Sequence, residues 1–237
     1  MSKKYKDERM KIKLLVAAAA TVVASSTMAA SAFEGFYGQA GVGYENNTVS
    51  SRSITVTPPA GSTGGGSASA PSSSGGGFSG VLGLGYNFSV APQWIVGIGA
   101  DYAPTSVTTS TQTICNGCTD ATNNYKIKNR YNIFITPGYE IDKDKLVYAK
   151  GGFSSQSMVW QGQTGFPGYT NSMNVNGFVA GLGYKQLVDK NIYVFGEGNY
   201  YSYSSKTLTA TTSTGYVLSQ PQTPSAYQFL VGVGYKF

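Results

Sequence analysis

The chain has no histidine among its 237 residues, and this absence limits the chemistry that it can perform. Serine and cysteine nucleophiles are usually activated by an adjacent base, which in the common catalytic triads is histidine. A lysine-based or paired-carboxylate site stays open, but Asp101, Glu140 and Glu197 alternate along the chain with nearby cations. That alternation favours a structural role. The sequence therefore predicts no catalytic residues, no cofactor and a chain that is not an enzyme.

Six charged residues form the main candidate polar site, because each lies on the polar side of a segment whose other side is apolar. They are Asp101, Lys128, Arg130, Glu140, Lys150 and Glu197. Lys128 and Arg130 begin the segment after Asp101, so one hairpin would bring these three charges together. Lys150 and Glu197 would meet at mid-height. Because buried charges require partners, we predict ion pairs that plug a narrow interior; the alternative is a gate whose pairs rearrange to pass ions.

Two cysteines, Cys115 and Cys118, flank an Asn-Gly pair that favours a tight turn. The ends of such a turn lie within about 7 Å of each other, which is compatible with a disulfide. The alternative is a zinc site, but zinc takes four nitrogen or sulfur ligands and this motif provides two. We therefore predict a disulfide at the tip of a loop and no metal.

The first 32 residues are predicted to be a secretory signal. A basic stretch precedes an apolar run over 14–24, which is too short for a transmembrane helix of about 20 residues. The motif Ala30-Ser31-Ala32 then fits the small-x-small pattern of a cleavage site, after which Phe33 would begin the mature chain. Met10 is an alternative start. Export would also expose the cysteines to an oxidising compartment.

The net charge of +6 belongs mostly to this signal. Residues 1–32 hold six cations and two anions, which leaves 11 cations and 9 anions for the remainder out of totals of 17 and 11. A nucleic-acid-binding protein concentrates its lysines and arginines on one face, and no such cluster follows the signal. The sequence therefore predicts no nucleic-acid partner.

Eight short segments with alternating apolar and polar residues follow the signal, and alternation with period two is typical of strands. They cover residues 36–45, 78–88, 94–102, 127–140, 147–153, 178–184, 192–200 and 227–237. The connections after the second, fourth and sixth segments are short, and the others are long and polar. The first long connection, about 46–77, is rich in glycine and serine and is predicted to be flexible.

The polar side of the segments is too small and too charged to be a soluble core, so the apolar side must face lipid. Aromatic residues gather at both ends of the segments, as they do at the two membrane–water boundaries. One group contains Phe36, Tyr86, Phe88, Trp94, Tyr139, Tyr184, Tyr235 and Phe237, and the other contains Tyr44, Tyr102, Tyr131, Phe153, Tyr200 and Tyr227. We predict an all-β fold over 33–237, an eight-stranded antiparallel transmembrane β-barrel with short periplasmic turns and long extracellular loops.

Three stretches resemble the small outer-membrane β-barrel family of OmpA, OmpX and the opacity-type proteins. They are the opening FYGQAGVGY at 36–44, the hairpin TPGY at 136–139 with YAKGG at 148–152, and the ending GVGYKF at 232–237. The resemblance covers essentially all of 33–237. It implies an outer-membrane location and a last strand, with Tyr235 and Phe237, that is read by the barrel-insertion machinery.

Several long loops carried by a rigid barrel favour a structural or surface-interaction role, with the loops acting like those of an adhesin. Outer-membrane lipid and lipopolysaccharide would surround the barrel, and host or cell-surface molecules are candidate partners of the loops. We expect a monomer. The alternative function is a small porin-like pore for ions or small solutes. Eight strands leave little interior space, whereas the many glycines on the polar side favour a pore.

Overall fold

The computed structural model describes residues 31–50, 52–113, 122–163, 170–211 and 215–237. The predicted signal as far as Ala30 lies outside these residues, and so do Cys115 and Cys118 with their predicted disulfide. In the described ranges, no helix has the length and apolar character needed to cross a bilayer.

The described residues form fourteen strands. The strands are β1 (Gly35–Val49), β2 (Arg52–Thr57), β3 (Gly66–Ala70), β4 (Ser73–Ala91), β5 (Trp94–Ala103), β6 (Val107–Thr108), β7 (Gln112–Thr113), β8 (Thr122–Asp142), β9 (Lys145–Gly162), β10 (Thr170–Leu187), β11 (Ile192–Tyr203), β12 (Lys206–Thr211), β13 (Val217–Gln222) and β14 (Pro224–Lys236). Eight of them are long and correspond to the eight segments expected from the sequence.

These eight long strands close into a barrel. In the order β1, β4, β5, β8, β9, β10, β11 and β14, each strand pairs antiparallel with the next, and β14 pairs again with β1. Residues 92–93, 143–144 and 188–191 make the short turns at one end. Closure gives every strand two neighbours, which the hydrocarbon layer requires because it offers no other partner for backbone groups. The prediction of an eight-stranded antiparallel barrel is confirmed.

The outer wall of the barrel is apolar along its middle. Phe229, Val231 and Val233 of β14 are 67%, 64% and 57% exposed, which is the opposite of what a soluble barrel would have. Aromatic rings pack against one another at both rims. The pairs are Phe36–Tyr86, Trp94–Tyr139 and Tyr235–Phe237 at the periplasmic rim, and Tyr131–Phe153 and Tyr200–Tyr227 at the outer rim. The expected lipid-facing surface with two aromatic girdles is therefore present.

Several strands continue beyond the outer girdle, and we call this part the outer extension; it includes 46–49 of β1, 122–128 of β8, 155–162 of β9 and 170–176 of β10. The barrel between the two girdles is the embedded barrel. A second sheet of four strands, in the order β12, β13, β2 and β3, is formed by the connections on the same side. The segment 46–77, expected to be a flexible loop, thus contains the end of β1, all of β2 and β3, and the start of β4.

A bulge in β8 separates the two parts of that strand. Asn129 and Arg130 lie opposite the single residue Gln156 of β9, since the register shifts between Lys128 and Tyr131. Asn129 has a φ of 54°, a backbone conformation that asparagine tolerates better than most residues. The bulge changes which alternate residues face inward.

Candidate functional site in the barrel interior

Arg130 of β8 forms an ion pair with Glu45 of β1 across the interior. Arg130 Nη1 donates to Glu45 Oε2 at 2.5 Å and Nη2 donates to Oε1 at 2.8 Å, so two hydrogen bonds hold the carboxylate. Arg130 Nε and Nη2 also donate to Gln156 Oε1 at 3.1 and 2.8 Å, and the guanidinium lies 4.2 Å from the centre of the Tyr201 ring. Both charged side chains are almost fully buried, so each depends on the other for compensation.

Neutral polar side chains surround Glu45. Its carboxylate accepts hydrogen bonds from Asn47 at 2.6 Å, from the Ser79 hydroxyl at 3.2 Å and from Gln228 Nε2 at 3.2 Å. These donors come from strands β1, β4 and β14. A carboxylate can accept about four hydrogen bonds, so the group is well satisfied although it is almost fully buried.

Lys150 of β9 forms the second charged layer. Its Nζ donates to Asp101 Oδ2 at 2.8 Å and to Glu197 Oε1 at 2.9 Å, which joins strands β5, β9 and β11. The Tyr148 hydroxyl donates to Glu197 at 2.7 Å, and Asn132 Nδ2 donates to Asp101 at 2.5 Å. The three charged side chains are 1–3% exposed. One ammonium therefore holds two carboxylates in a buried interior.

The side chain of Asn199 connects the two layers. Its Nδ2 group donates to Glu197 Oε1 at 2.8 Å and to Gln228 Oε1 at 3.2 Å. Gln228 in turn donates to Glu45, so the hydrogen bonds run without a break from Lys150 to Arg130. A continuous network of this kind is rigid only when its members are satisfied together.

Lys185 of β10 lies nearer the periplasmic end, within a cage of tyrosine rings. Its Nζ is 4.2 Å from the ring centre of Tyr37, 4.8 Å from that of Tyr193 and 5.3 Å from that of Tyr148. Cation–π attraction is effective at these distances. The rings fit because neighbouring inward positions are glycine: a Cβ at Gly183 would overlap the Tyr148 ring, and one at Gly234 would overlap the Tyr193 ring.

Apolar clusters lie at both ends of the polar interior. The outer cluster fills the outer extension and contains Val49, Tyr125, Ile127, Met158, Trp160, Val175, Val179, Tyr201, Tyr203, Leu208 and Ala226, with Met173 packed against it. At the periplasmic end, Phe33, Ile95 and Leu146 pack together with Leu187 to form a floor. Asn87 Nδ2 donates to the Phe33 carbonyl at 2.8 Å and fixes the residue there.

The structure brings together Asp101, Lys150 and Glu197 of the six predicted charges. The expected pairing of Asp101 with Lys128 and Arg130 is wrong, because Arg130 pairs with Glu45 and Asp101 pairs with Lys150. Lys128 does not face the interior: the bulge turns it to the outer wall and turns Ile127, expected on the lipid-facing side, inward.

Glu140 lies outside both layers, at the periplasmic rim. Strand β8 ends only two residues later, at Asp142, which places Glu140 at this rim. Its carboxylate accepts a hydrogen bond from the Ser31 hydroxyl. Ala32 and Phe33, on either side of the predicted cleavage point, lie in the same region, and Phe33 is 2% exposed. Cleavage between these two residues stays a prediction.

Glu45 and Lys185 were missed as site residues. Glu45 follows the inward glycines of the first segment in phase, and Lys185 follows Gly181 and Gly183 in phase. Strict alternation could therefore have found both positions, although not their partners across the barrel.

Tyr235 and Phe237 of the predicted insertion signal lie on the outer wall, 48% and 77% exposed, with ring centres 5.2 Å apart. Their role in insertion stays a prediction. Over the ranges that the structure describes, no group of three or more acidic or cysteine side chains could hold a metal ion.

Comparison with known proteins agrees with the architecture. Residues 15–237 match the family described as outer membrane protein beta-barrel domain. The fold is similar to the outer membrane protein OprG from Pseudomonas aeruginosa, with 16% identity and a TM-score of 0.53, covering 86% of this chain and 96% of OprG. It is also similar to the outer membrane protease OmpT from Escherichia coli, with 12% identity and a TM-score of 0.52, covering 90% and 100%. Comparison with curated proteins gives no match.

Proposed function

The chain belongs to the outer membrane protein beta-barrel domain family, and from this premise we propose that it is a sealed, non-enzymatic barrel that presents its second sheet to partners outside the cell. Its location is the outer membrane. The observation that carries the proposal is the unbroken hydrogen-bond network between Lys150 and Arg130, closed at both ends by apolar clusters.

The charge balance of the interior supports a plug. Glu45, Asp101 and Glu197 supply three negative charges, and Arg130, Lys150 and Lys185 supply three positive charges. Moving an ion through this interior would require breaking pairs that are desolvated, which is costly unless both partners find substitutes. The absence of histidine from the whole sequence supports a non-enzymatic role.

The second sheet supports interaction at the cell surface. Strands β2, β3, β12 and β13 rise from two connections that are distant in sequence and pair with one another above the barrel. Pairing fixes the loops relative to the barrel, and a preformed surface loses less conformational entropy on binding than a mobile loop does. Host molecules and neighbouring cells are the candidate partners, and the protein would act as a monomer.

A small pore is the second candidate function, and the inward glycines favour it. Gly83, Gly181 and Gly232, for example, place no side chain of their own in the interior, although Gln39, Asn199 and Phe195 lie close to where their Cβ atoms would be. Rearrangement of the Lys150 layer would be needed to connect the two ends.

Conductance in a planar bilayer separates the two functions. The purified full-length protein is expected to give no steady current. The variant Lys150→Ala, which removes the shared cation, is expected to give intermittent openings at most. Steady channels from the unaltered protein would overturn the plug and support the pore.

Adhesion tests the surface role. Cells that display the protein would be compared with cells that display a variant in which residues 53–69 are replaced by a short glycine–serine turn. We expect the variant to insert normally but to adhere less to an epithelial monolayer and to other cells. A matched control replaces Lys143 and Asp144 in a periplasmic turn and should adhere normally. Equal adhesion by all three would contradict the proposal.

A further inference from the structure

Ionisable residues are distributed unequally between the two ends of the barrel. Outside the interior, the acidic side chains of the described residues all lie at the periplasmic end: Glu34, Glu140, Asp142, Asp144 and Asp189. The outer end carries Lys126, Lys128 and Lys206, and the described residues there include no acidic side chain outside the interior. The outer end is therefore positive.

Lys126 and Lys128 lie on the outer wall of the outer extension, whereas Lys206 lies on the second sheet. Lys128 pairs with Ser157 of β9, and Lys126 pairs with Val159 and with Thr108 of β6. The bulge directs both lysines outward, and the Tyr102 hydroxyl donates to Asn129 Oδ1 at 3.1 Å, which ties the bulge to the aromatic girdle.

The height of the two lysines above the girdle is the second observation. Tyr131, 46% exposed, marks the girdle on β8. Lys128 and Lys126 lie three and five residues beyond it on β8, past the exposed Asn129 of the bulge. At a rise of about 3.3 Å per residue and a strand tilt of roughly 40°, they are about 8 and about 13 Å above the girdle. The headgroup layer of a bilayer is roughly 5–8 Å thick on each side of a hydrocarbon core of about 30 Å. Lys128 therefore lies at the depth of lipid headgroups, and the long Lys126 side chain reaches that depth by extending back toward the girdle.

We propose that Lys126 and Lys128 bind a phosphate group of an outer-leaflet glycolipid. Ammonium groups bind phosphate as point charges. Neighbouring polar side chains complete the site: the Ser157 hydroxyl donates to Asn174 Oδ1 at 2.7 Å, which leaves the Asn174 amide NH₂ to donate to the lipid. A soluble polyanion would instead meet Lys206, which is exposed on the second sheet. This site is additional to the proposed surface role and does not depend on it.

The test measures lipid retention by native mass spectrometry. Full-length protein, expressed for export and purified in detergent, is titrated with bis-phosphorylated lipid A and with the same lipid A after removal of both phosphates. The phosphorylated form is expected to bind at least tenfold more tightly. Replacing both residues, as Lys126→Ser with Lys128→Ser, is expected to weaken binding of the phosphorylated form about 25-fold, the product of roughly fivefold for each lysine near an anionic lipid surface.

The matched control removes two exposed lysines from periplasmic turns, as Lys143→Ser with Lys190→Ser, and should bind as the unaltered protein does. Heat-dependent gel migration verifies that each variant is folded. Equal binding of the two lipid A forms by the unaltered protein would overturn the proposal without any variant. Equal weakening by the control pair would also overturn it, as would lysine-dependent binding of soluble heparin at the same affinity as lipid A.

Discussion

The embedded barrel and the outer extension use the same strands with opposite side-chain distributions. From the level of the outer girdle downward, Arg130 and Lys150 lie inside with their carboxylates, and residues such as Val231 face outward. Beyond the outer girdle, Tyr125 and Met158 are buried inside, and Lys126 faces outward. The surrounding solvent explains the difference: lipid accepts apolar side chains on the wall, whereas water drives them into the interior. Strand pairing alone therefore does not decide which residues form a core.

The largest effect is expected from deleting Asn129, which removes the bulge. A one-residue change of register exchanges the two faces of a strand, so Tyr125 and Ile127 would turn toward water and the outer cluster would not form. The measurement is Trp160 fluorescence in a Trp94→Phe background, with emission expected to move to longer wavelength. The control Asn129→Gly keeps a residue that accepts positive φ and should leave the emission unchanged.

Removing the cation of the Arg130–Glu45 ion pair should have the next largest effect. Arg130→Ala leaves Glu45 buried without its partner, and breaking a buried pair costs about 3–5 kcal/mol. The midpoint of unfolding in urea, followed by gel migration in lipid vesicles, should fall accordingly. The double variant Arg130→Met with Glu45→Leu should recover much of the loss, since it removes both charges. If the double variant were no more stable than the single one, the pair would not account for the effect.

Truncating one valine on either side of the girdle makes a smaller, direct comparison. Val175 of β10 is fully buried in the outer cluster. Val175→Ala should lower the free energy of unfolding by about 2 kcal/mol, because it removes two carbon atoms from the core and leaves a cavity. Val231→Ala removes the same atoms from the lipid-facing wall, where lipid fills the space, and should cost less. Equal losses in a urea titration would mean that the outer cluster is not packed as a core.

The smallest effect is expected at the periplasmic turn. Lys145 Nζ donates to Asp142 Oδ2 at 2.9 Å, and this hydrogen bond lowers the pKa of the exposed Asp142 carboxyl. A lowered pKa in the folded state stabilises the protein at pH values above the ordinary aspartate pKa. This stabilisation is lost as the pH falls through the lowered pKa. Asp142→Asn should therefore change the unfolding midpoint little at neutral pH and remove a small pH dependence in the acid range. A large change at neutral pH would contradict this expectation.

The embedded barrel could be predicted from sequence because its alternation is strict and its outward side is uniformly apolar. The outer extension could not be predicted in the same way. Ile127 is apolar and was expected to face lipid with the rest of its segment, but the bulge at Asn129 turns its side chain into the interior. The pairing of Glu45 with Arg130 was also beyond the sequence: their positions on the inward side follow from alternation, but their distance depends on how the strands are staggered around the ring. Strand β3 was missed because its glycine, serine and alanine residues carry no strand pattern. Strand β2 could have been found, because Ile54 and Val56 alternate with threonine in it.

The bulge at Asn129 has an evolutionary consequence. Bilayer thickness fixes how many residues β8 needs below that point, whereas nothing comparable limits its length above. Insertions or deletions of two residues beyond the bulge would keep every side chain on its own side and would leave the membrane-spanning part untouched. The externally visible portion of this protein can thus lengthen, shorten and diversify under selection while the portion that must pass through assembly in the membrane stays constant.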